Sequence, residues 1–163
     1  MLISSLLTIP ILLLQQQGPA EPPIKCGSHG TDAFQLTFSN WTRAKTILMS
    51  HDEHRIGVLV SKKGLERIAI INGAPSRTHM SRDTFLARIH GNSFDANGFK
   101  DQKGSTPDHV YACTWMVLHD VKNKERITNN TATVSSANSY AVVRFYCENG
   151  ILRIASIKAT TGN

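Results

Sequence analysis

The sequence has no charged residue before Glu21, although the whole chain carries a formal net charge of +6. Its first stretch, Met1–Leu14, is an uncharged apolar run, shorter than the roughly 20 residues that a membrane-spanning helix needs. Such a run fits the apolar part of a secretory signal, with small residues at Gly18–Ala20 as a cleavage zone. We therefore expect residues 1–20 to be a signal peptide, cleaved near Ala20, or a short hydrophobic anchor. The protein would then be exported, either periplasmic or secreted, with no stable membrane insertion after cleavage.

Short catalytic motifs are also absent from the sequence. It contains no GxSxG, no P-loop and no HExxH, and no pair of carboxylates at a spacing suited to acid–base catalysis. These absences remove the motif-based case for a serine hydrolase, a P-loop nucleotide hydrolase or a zinc protease of these types. The sequence predicts no cofactor, and it favours a protein without a catalytic role.

Cysteine is scarce, with three residues at positions 26, 113 and 147. This spacing is too wide for a zinc-binding pattern. The polar tetrad from His51 to His54 places no third ligand by its spacing, so we predict no metal site. An exported protein permits a disulfide, and an odd number of cysteines leaves one thiol over.

The strongest local signal that is present lies in Ala141–Ile157, where two apolar runs meet at Asn149-Gly150. This dipeptide predicts a β-hairpin with a two-residue type I′ turn. Because side chains alternate along a strand, the turn also predicts the register and an inward face. The predicted inward pairs are Cys147 with Leu152, Phe145 with Ile154, and Val143 with Ser156. The predicted reverse face is mixed and partly charged: Val142, Arg144, Tyr146, Arg153, Ala155 and Ile157.

The preceding chain shows mostly helical periodicity. Residues 21–30 predict a linker, and Thr31 or Asp32 would cap a helix extending to about Ser50. Its predicted buried stripe includes Phe34, Phe38, Trp41 and Leu48. Ser61 would cap a second helix with Leu65, Ile68 and Ala69, for which a strand at Arg67–Ile71 is the competing interpretation. Ser81 would cap a third helix ending at Gly91, and Gly91–Pro107 predicts a long polar loop.

From Asp108 onward the pattern favours strands. Val110–Asp120 is apolar on both faces and predicts a central or pocket-lining strand, and Arg126–Ser136 predicts an edge strand. With the terminal hairpin they give a four-stranded antiparallel meander. The predicted fold class is α+β, with N-terminal helices packed on a curved antiparallel sheet in a single domain, residues 31–160. In that meander Cys113 and Cys147 lie on strands one and three, roughly 9–10 Å apart, so we predict no disulfide between them.

The order of these elements resembles the nuclear transport factor 2-like (NTF2-like) superfamily, the SnoaL-like, cystatin-type α+β roll. The resemblance is carried by the helix with Phe34, Phe38 and Trp41, by the Ser81 helix, and by the closing FYCENGILRIASI, and it covers about Thr31–Thr160. It implies a small pocketed protein, and in enzymes of this type an Asp or His base inside the cone between helices and sheet. The family also has two strands before the Ser81 helix, for which Ile56–Val60 and Arg67–Ile71 are available.

Candidate catalytic residues follow from position alone. His109 and His119 lie an even number of residues apart on the predicted strand, taken here as Asp108–Asp120, so both would share one face with Tyr111, Cys113 and Trp115. A histidine beside aromatic side chains suits general acid–base work, because its pKa is near neutrality. Ten residues of strand span about 33 Å, so the two histidines would not act on one small substrate.

Candidate ligand-binding residues lie on the reverse face of the terminal hairpin. Tyr146 and Arg153 are predicted cross-strand neighbours, with Arg144 on the same face, and Tyr111 and Trp115 are added from the pocket-lining strand. Two guanidinium groups beside a phenol suit a carboxylate, phosphate or sulfate. The competing interpretation is a solvated sheet face with arginine stacked on tyrosine.

These observations predict an exported, non-enzymatic α+β roll that binds a small ligand or a protein partner. One alternative is a pocket enzyme of isomerase, cyclase or hydrolase type with a His or Asp base. Another, which rests on the net charge, is a binder of anionic polymer. A homodimer through the sheet is a further expectation.

Overall fold

The computed structural model describes residues 21–27, 34–90, 92–95, 98–101 and 108–160. The predicted signal segment, the predicted caps Thr31 and Asp32, and part of the Gly91–Pro107 segment lie outside these residues. The elements are α1 Phe38–Met49, α2 Glu53–Gly57, β1 Leu65–Ile71, β2 Ala74–Met80, α3 Arg82–His90, β3 Asn92–Asp95, β4 Gly98–Asp101, α4 His109–His119, β5 Lys124–Thr128, β6 Thr131–Ser135, β7 Tyr140–Glu148 and β8 Ile151–Thr160.

Six strands form one sheet in the order β2-β1-β8-β7-β6-β5. Strands β5 to β8 make a four-stranded antiparallel meander, which confirms the α+β class and the predicted end of the sheet. The sheet as a whole is mixed, because β1 runs parallel to β8. The prediction of a wholly antiparallel sheet is therefore wrong at this one pairing. Within the described ranges, no helix has the length and apolar character required to cross a membrane.

The terminal hairpin has the predicted turn. Asn149 and Gly150 have φ values of 51° and 77°, as a type I′ turn requires. Cys147 pairs with Leu152 and Phe145 with Ile154, as predicted. A β-bulge then shifts the register, so that Val143 pairs with Ile157 and not with Ser156. The bulge turns Ile157 into the core, where it is fully buried, although the sequence pattern placed it on the reverse face.

Helix α1 begins later than the pattern predicts. Thr37 is its N-cap, and the Thr37 side chain accepts a hydrogen bond of 3.1 Å from the Asn40 backbone N–H. Trp41, Ala44, Ile47 and Leu48 form its buried face. Phe38 lies outside the core and is 74% exposed, so its place in the predicted buried stripe is wrong.

The predicted second helix is a strand, and the competing interpretation at Arg67–Ile71 is confirmed. Leu65–Ile71 forms β1, and Asn72-Gly73 is the turn into β2. The segment Ala74–Ser76, which the sequence pattern marks as a break, begins β2. β2 lies at the edge of the sheet and is almost wholly exposed, and an edge strand is a place where Pro75 is tolerated.

The largest correction concerns Val110–Asp120, which lies in helix α4 and not in a strand. Asp108 caps this helix by accepting a 2.8 Å hydrogen bond from the Tyr111 backbone N–H. The helix lies across β7 and β8 on the inner face of the sheet. Burial on most of its surface explains its apolar character, and an apolar run does not by itself distinguish a buried helix from a central strand. The predicted Arg126–Ser136 strand is two strands, β5 and β6, joined at Asn129-Asn130.

The third helix is confirmed as α3, and the Ser81 side chain accepts a hydrogen bond from the Thr84 backbone N–H. The long segment that follows is not wholly a loop, because β3 and β4 pair as an antiparallel hairpin within it.

Residues 21–27, inside the predicted linker, are held to the domain. Ile24 is fully buried, and its carbonyl accepts a hydrogen bond from the Leu152 backbone N–H. Cys26 forms a disulfide with Cys147, with the two Cα atoms 5.9 Å apart. Cys113 is outside this disulfide, so the prediction of no bridge between Cys113 and Cys147 is confirmed. The reason given for it is wrong, because Cys113 lies on helix α4 and not on a strand.

Candidate functional site

A hollow of about 420 Å³ lies between the β1–β2 hairpin and the start of α4. Arg67, Ala69 and Ile71 alternate along β1, so they share one face, and Thr78 and Ser76 lie opposite the first two on β2. We call this hollow the hairpin pocket; its lining residues are Arg67, Ala69, Ile71, Ser76, Thr78, His109 and Val110. Its wall is therefore part aliphatic and part hydrogen-bonding, as in many sites for small organic molecules.

The polar wall of the hairpin pocket contains a buried ion pair. The Arg67 guanidinium Nε contacts the Oδ2 atom of Asp108, and their side chains are 14% and 0% exposed. Asp108 also caps α4 through its Oδ1 atom, so its carboxylate has two structural partners. A guanidinium carries five N–H donors, so Arg67 has more donors than its contact with Asp108 uses.

His109, a predicted catalytic residue, is the first residue of α4 and lies exposed at the rim of the hairpin pocket. His119 ends the same helix, about 15 Å farther along its axis at 1.5 Å per residue. Its ring stacks on Trp115, with ring centroids 3.6 Å apart, and its Nδ1 lies 2.9 Å from the Trp115 carbonyl oxygen. The structure therefore separates the two histidines, and His109 lines the hairpin pocket.

Tyr111 and Trp115, predicted to bind ligand, have structural partners. The Tyr111 hydroxyl is buried and donates a 2.8 Å hydrogen bond to the Leu48 carbonyl, and burial raises the pKa of this phenol far above its ordinary value. Trp115 donates from Nε1 to the Met49 carbonyl at 3.1 Å. Both residues fasten α4 to the end of α1, and neither lines the hairpin pocket.

The predicted hairpin patch is only partly brought together. Tyr146 and Arg153 are cross-strand partners, as predicted, and Arg144 is exposed on β7. The Arg153 side chain is 20% exposed, contacts the Val58 carbonyl through Nη1, and places Nε 3.5 Å from Glu148 Oε2. Arg153 also lines a second cavity, whose lining includes neither Arg144 nor Tyr146.

This second cavity, of about 520 Å³, lies at the end of the terminal hairpin. We call it the basic cleft; its lining residues are Gly57, Val60, Ser61, Lys62, Lys63, Arg82, Glu148, Asn149 and Arg153. In the part of the chain that the structure describes, three or more His, Cys, Asp or Glu side chains do not come together as a metal site would require.

Sequence reasoning missed Arg67 and Asp108 as site residues. They are far apart in the chain, and Arg67 falls in a segment first interpreted as a helix. One signal was available: Asp108 three residues before Tyr111 fits an N-cap, which would have marked a helix start.

Neither a family model nor a curated protein matches this chain. Solved structures do match. An NTF2-like protein of unknown function from Silicibacter pomeroyi is 13% identical, with 76% of this chain and 98% of that chain covered and a TM-score of 0.36. An NTF2-like protein from Cytophaga hutchinsonii is 11% identical, with 78% and 100% covered and a TM-score of 0.41. An NTF2-like protein with a cystatin-like fold from Novosphingobium aromaticivorans is 13% identical, with 74% and 76% covered and a TM-score of 0.36. At these identities and TM-scores, the likeness carries no argument about this chain's ligand or activity.

Proposed function

We propose that this protein is an exported α+β roll that binds a small organic molecule in the hairpin pocket. The observation that carries the proposal is the Arg67–Asp108 ion pair, which holds a largely buried guanidinium in the wall of a hollow with aliphatic surface. Ala69, Ile71 and Val110 offer that surface to an apolar ligand body. Ser76, Thr78 and the remaining donors of Arg67 offer hydrogen bonds to an oxygen atom of the ligand.

The charge of the pocket narrows the class of ligand. Asp108 neutralises Arg67, so the buried wall has no net charge to attract a fully desolvated anion. An uncharged acceptor, such as a ketone, ester or amide oxygen, gains the hydrogen bond without this penalty. The proposed ligand is therefore a small, largely apolar molecule with a carbonyl oxygen.

Export is supported by the apolar segment Met1–Leu14 and by the Cys26–Cys147 disulfide. Disulfides persist in the periplasm and outside the cell and are rare in the cytosol. Fractionation of producing cells, with an antibody against the chain, tests this part. Retention of the full-length chain in the cytosol would contradict it.

Ligand-observed NMR tests the pocket, with cyclic and aryl ketones and amides as probes and the matching hydrocarbons as references. Ser76→Trp fills the pocket from its exposed edge and should abolish transfer of signal to the carbonyl probes. Arg77→Trp is the matched control, because Arg77 is the next residue and its ion pair with Glu66 lies on the other face of the hairpin. Equal binding to the wild type and Ser76→Trp would refute the proposal, as would an equal response to hydrocarbons and carbonyl compounds.

The enzyme alternative is tested in the same samples. His109 lies at the rim of the hairpin pocket, where a base would act on a bound carbonyl compound. Conversion of a probe over hours, lost in His109→Gln while binding is retained, would favour a pocket enzyme. Probes that bind and stay unchanged favour the binding protein.

A further inference from the structure

We propose that the basic cleft is a second site, which binds the phosphate or sulfate group of a small molecule. Four cations line it and one carboxylate offsets them, so the cleft carries three net positive charges at neutral pH. The cations come from three separate segments: Lys62 and Lys63 precede β1, Arg82 begins α3, and Arg153 lies on β8. Their convergence is therefore a property of the fold and not of a local run of charge.

The turn that carries the two lysines is held in place. Ser61 is buried; its hydroxyl donates a 2.9 Å hydrogen bond to Glu148 Oε1 and accepts one from the Lys63 backbone N–H. The Gly64 backbone N–H closes the turn on the Ser61 carbonyl at 2.9 Å. A charged loop that is already fixed loses less entropy when it binds an ion.

Both arginines are anchored on neighbouring carbonyls. Arg82 donates from Nη2 to the Gly57 carbonyl at 3.2 Å, and Arg153 donates to the Val58 carbonyl. Arg82 Nη1 also lies 3.9 Å from the carboxylate of Asp83, an exposed side chain outside the cleft lining. The last residue of α2 and the C-cap residue Val58 thereby set the positions of the two guanidinium groups, which bind oxyanions with directed hydrogen bonds.

The Glu148 carboxylate lies beside two of the cations that a bound anion would contact. Its carboxylate lies 3.8 Å from Lys63 Nζ and 3.5 Å from Arg153 Nε. In the absence of a ligand it holds these cations together, and an arriving anion must compete with it for them. The cleft, at about 520 Å³, is also larger than one phosphate ion, so we assign it to a phosphate or sulfate group with an organic body attached.

Titration calorimetry with phenyl phosphate, phenyl sulfate and inorganic phosphate tests the proposal in buffer that lacks other multivalent anions. Lys62→Gln/Lys63→Gln should weaken phenyl phosphate binding about tenfold or more, because two charge-assisted contacts are lost. Glu148→Gln should strengthen it about three- to tenfold, because a competing charge is removed while the amide oxygen still accepts from Ser61. Lys122→Gln/Lys124→Gln is the matched control: both residues are exposed lysines outside the cleft lining, and the net charge changes by the same amount.

A second variant tests geometry at constant charge. A Cβ atom added at Gly57 would lie 2.8 Å from Arg82 Nη2, so Gly57→Ala displaces this guanidinium from its anchor. Phenyl phosphate binding should weaken about threefold, with melting temperature and net charge nearly unchanged.

Three outcomes would overturn the proposal. The first is an equal loss of phenyl phosphate affinity in the lysine variant and its control, and the second is weaker phenyl phosphate binding in Glu148→Gln. The third is a protein that is retained on a heparin column but does not bind phenyl phosphate. Binding of inorganic phosphate as tight as that of phenyl phosphate would also contradict the assignment to an ester. Ser76→Trp should leave phenyl phosphate binding unchanged, so failure of the hairpin pocket proposal and failure of this one are distinguishable.

Discussion

Cys26 and Cys147 are joined by a disulfide that spans 121 residues of sequence and fixes the segment before α1 to strand β7. The neighbouring backbone is also tied down, because Lys25 forms a bridge with Ile151 and Cys26 donates its N–H to the Gly150 carbonyl. Residues 24–26 are therefore hydrogen-bonded alongside the start of β8 and the turn before it.

Removing this disulfide should lower the free energy of unfolding. In Cys26→Ser/Cys147→Ser we expect a loss of about 2–4 kcal/mol, because the unfolded chain regains the entropy of a long open loop. Urea denaturation followed by circular dichroism measures it. Cys113→Ser is the control and should change stability by less than half as much. Equal decreases in the free energy of unfolding in both variants would show that the disulfide itself does not stabilise the fold.

The contact between Glu125 and α1 should make stability sensitive to acid. Burial alone would raise the pKa of Glu125, but hydrogen bonds from Lys45 and Trp41 and the Lys45 charge outweigh it and lower that pKa below its ordinary value of 4.5. A folded-state pKa below the unfolded one gives stability that is complete above the unfolded value and is lost as pH falls through the folded value.

We therefore expect Glu125→Gln to lower the free energy of unfolding by up to about 1 kcal/mol at pH 7. On acidification below pH 4.5, the free energy of unfolding should fall less in this variant than in the wild type. Urea denaturation at pH 7 and at pH 3 measures both quantities. The Trp41 indole N–H resonance should shift over the same pH range in the wild type, since Nε1 donates to Glu125 at 2.7 Å. A parallel pH dependence in both proteins would contradict the assignment.

Substitutions of Arg67 and Asp108 should have strongly non-additive effects on the free energy of unfolding. Arg67→Met leaves a fully buried carboxylate without its ion-pair partner and should cost about 3–5 kcal/mol of the free energy of unfolding. In Arg67→Met/Asp108→Asn the amide oxygen still caps α4, so the double variant should lose less than the sum of the two single losses. A double-mutant cycle from chemical denaturation measures this coupling. Additive losses would mean that the pair contributes nothing of its own.

Two glycines with similar backbones should tolerate alanine differently. Gly64 and Gly73 have φ values of 83° and 78°. At Gly73 a Cβ atom would meet nothing within 4 Å. Alanine should therefore destabilise the fold only by the cost of the left-handed backbone conformation, about 1–2 kcal/mol. At Gly64 a Cβ would lie 2.0 Å from the Met80 carbonyl oxygen, so the strands must separate at a further cost of about 1–3 kcal/mol. Equal melting temperatures of the two variants would refute this distinction.

The parts of the fold that the sequence predicts correctly are those encoded by neighbouring residues. Asn149-Gly150 specifies its turn because both residues accept positive φ, and Ser81 marks α3 because its side chain caps the helix. The parts that it misses depend on distant contacts. β2 has almost no buried side chain and therefore no apolar pattern to mark it as a strand.

The candidate sites were less predictable than the fold for the same reason. Arg67 meets Asp108, and Lys63 meets Glu148, only after the sheet has formed. Arg153 was identified from its pairing with Tyr146, but its place in the basic cleft depends on the carbonyl of Val58, which no local pattern connects to β8. The β-bulge that buries Ile157 could not be predicted from the sequence, because no glycine or proline lies near it.

The position of β8 in the middle of the sheet has a consequence for the order of assembly. β8 follows the other five strands of this sheet in the chain and is made after them, yet among the described strands it is the one that joins the early β1–β2 hairpin to the β5–β7 meander. The two halves can form locally, but the hairpin pocket and the basic cleft each need β1 or its preceding turn to lie beside the finished sheet. A partner that captures the chain before β8 emerges would therefore meet a protein with neither site, and the addition of β8 to the sheet would complete both together.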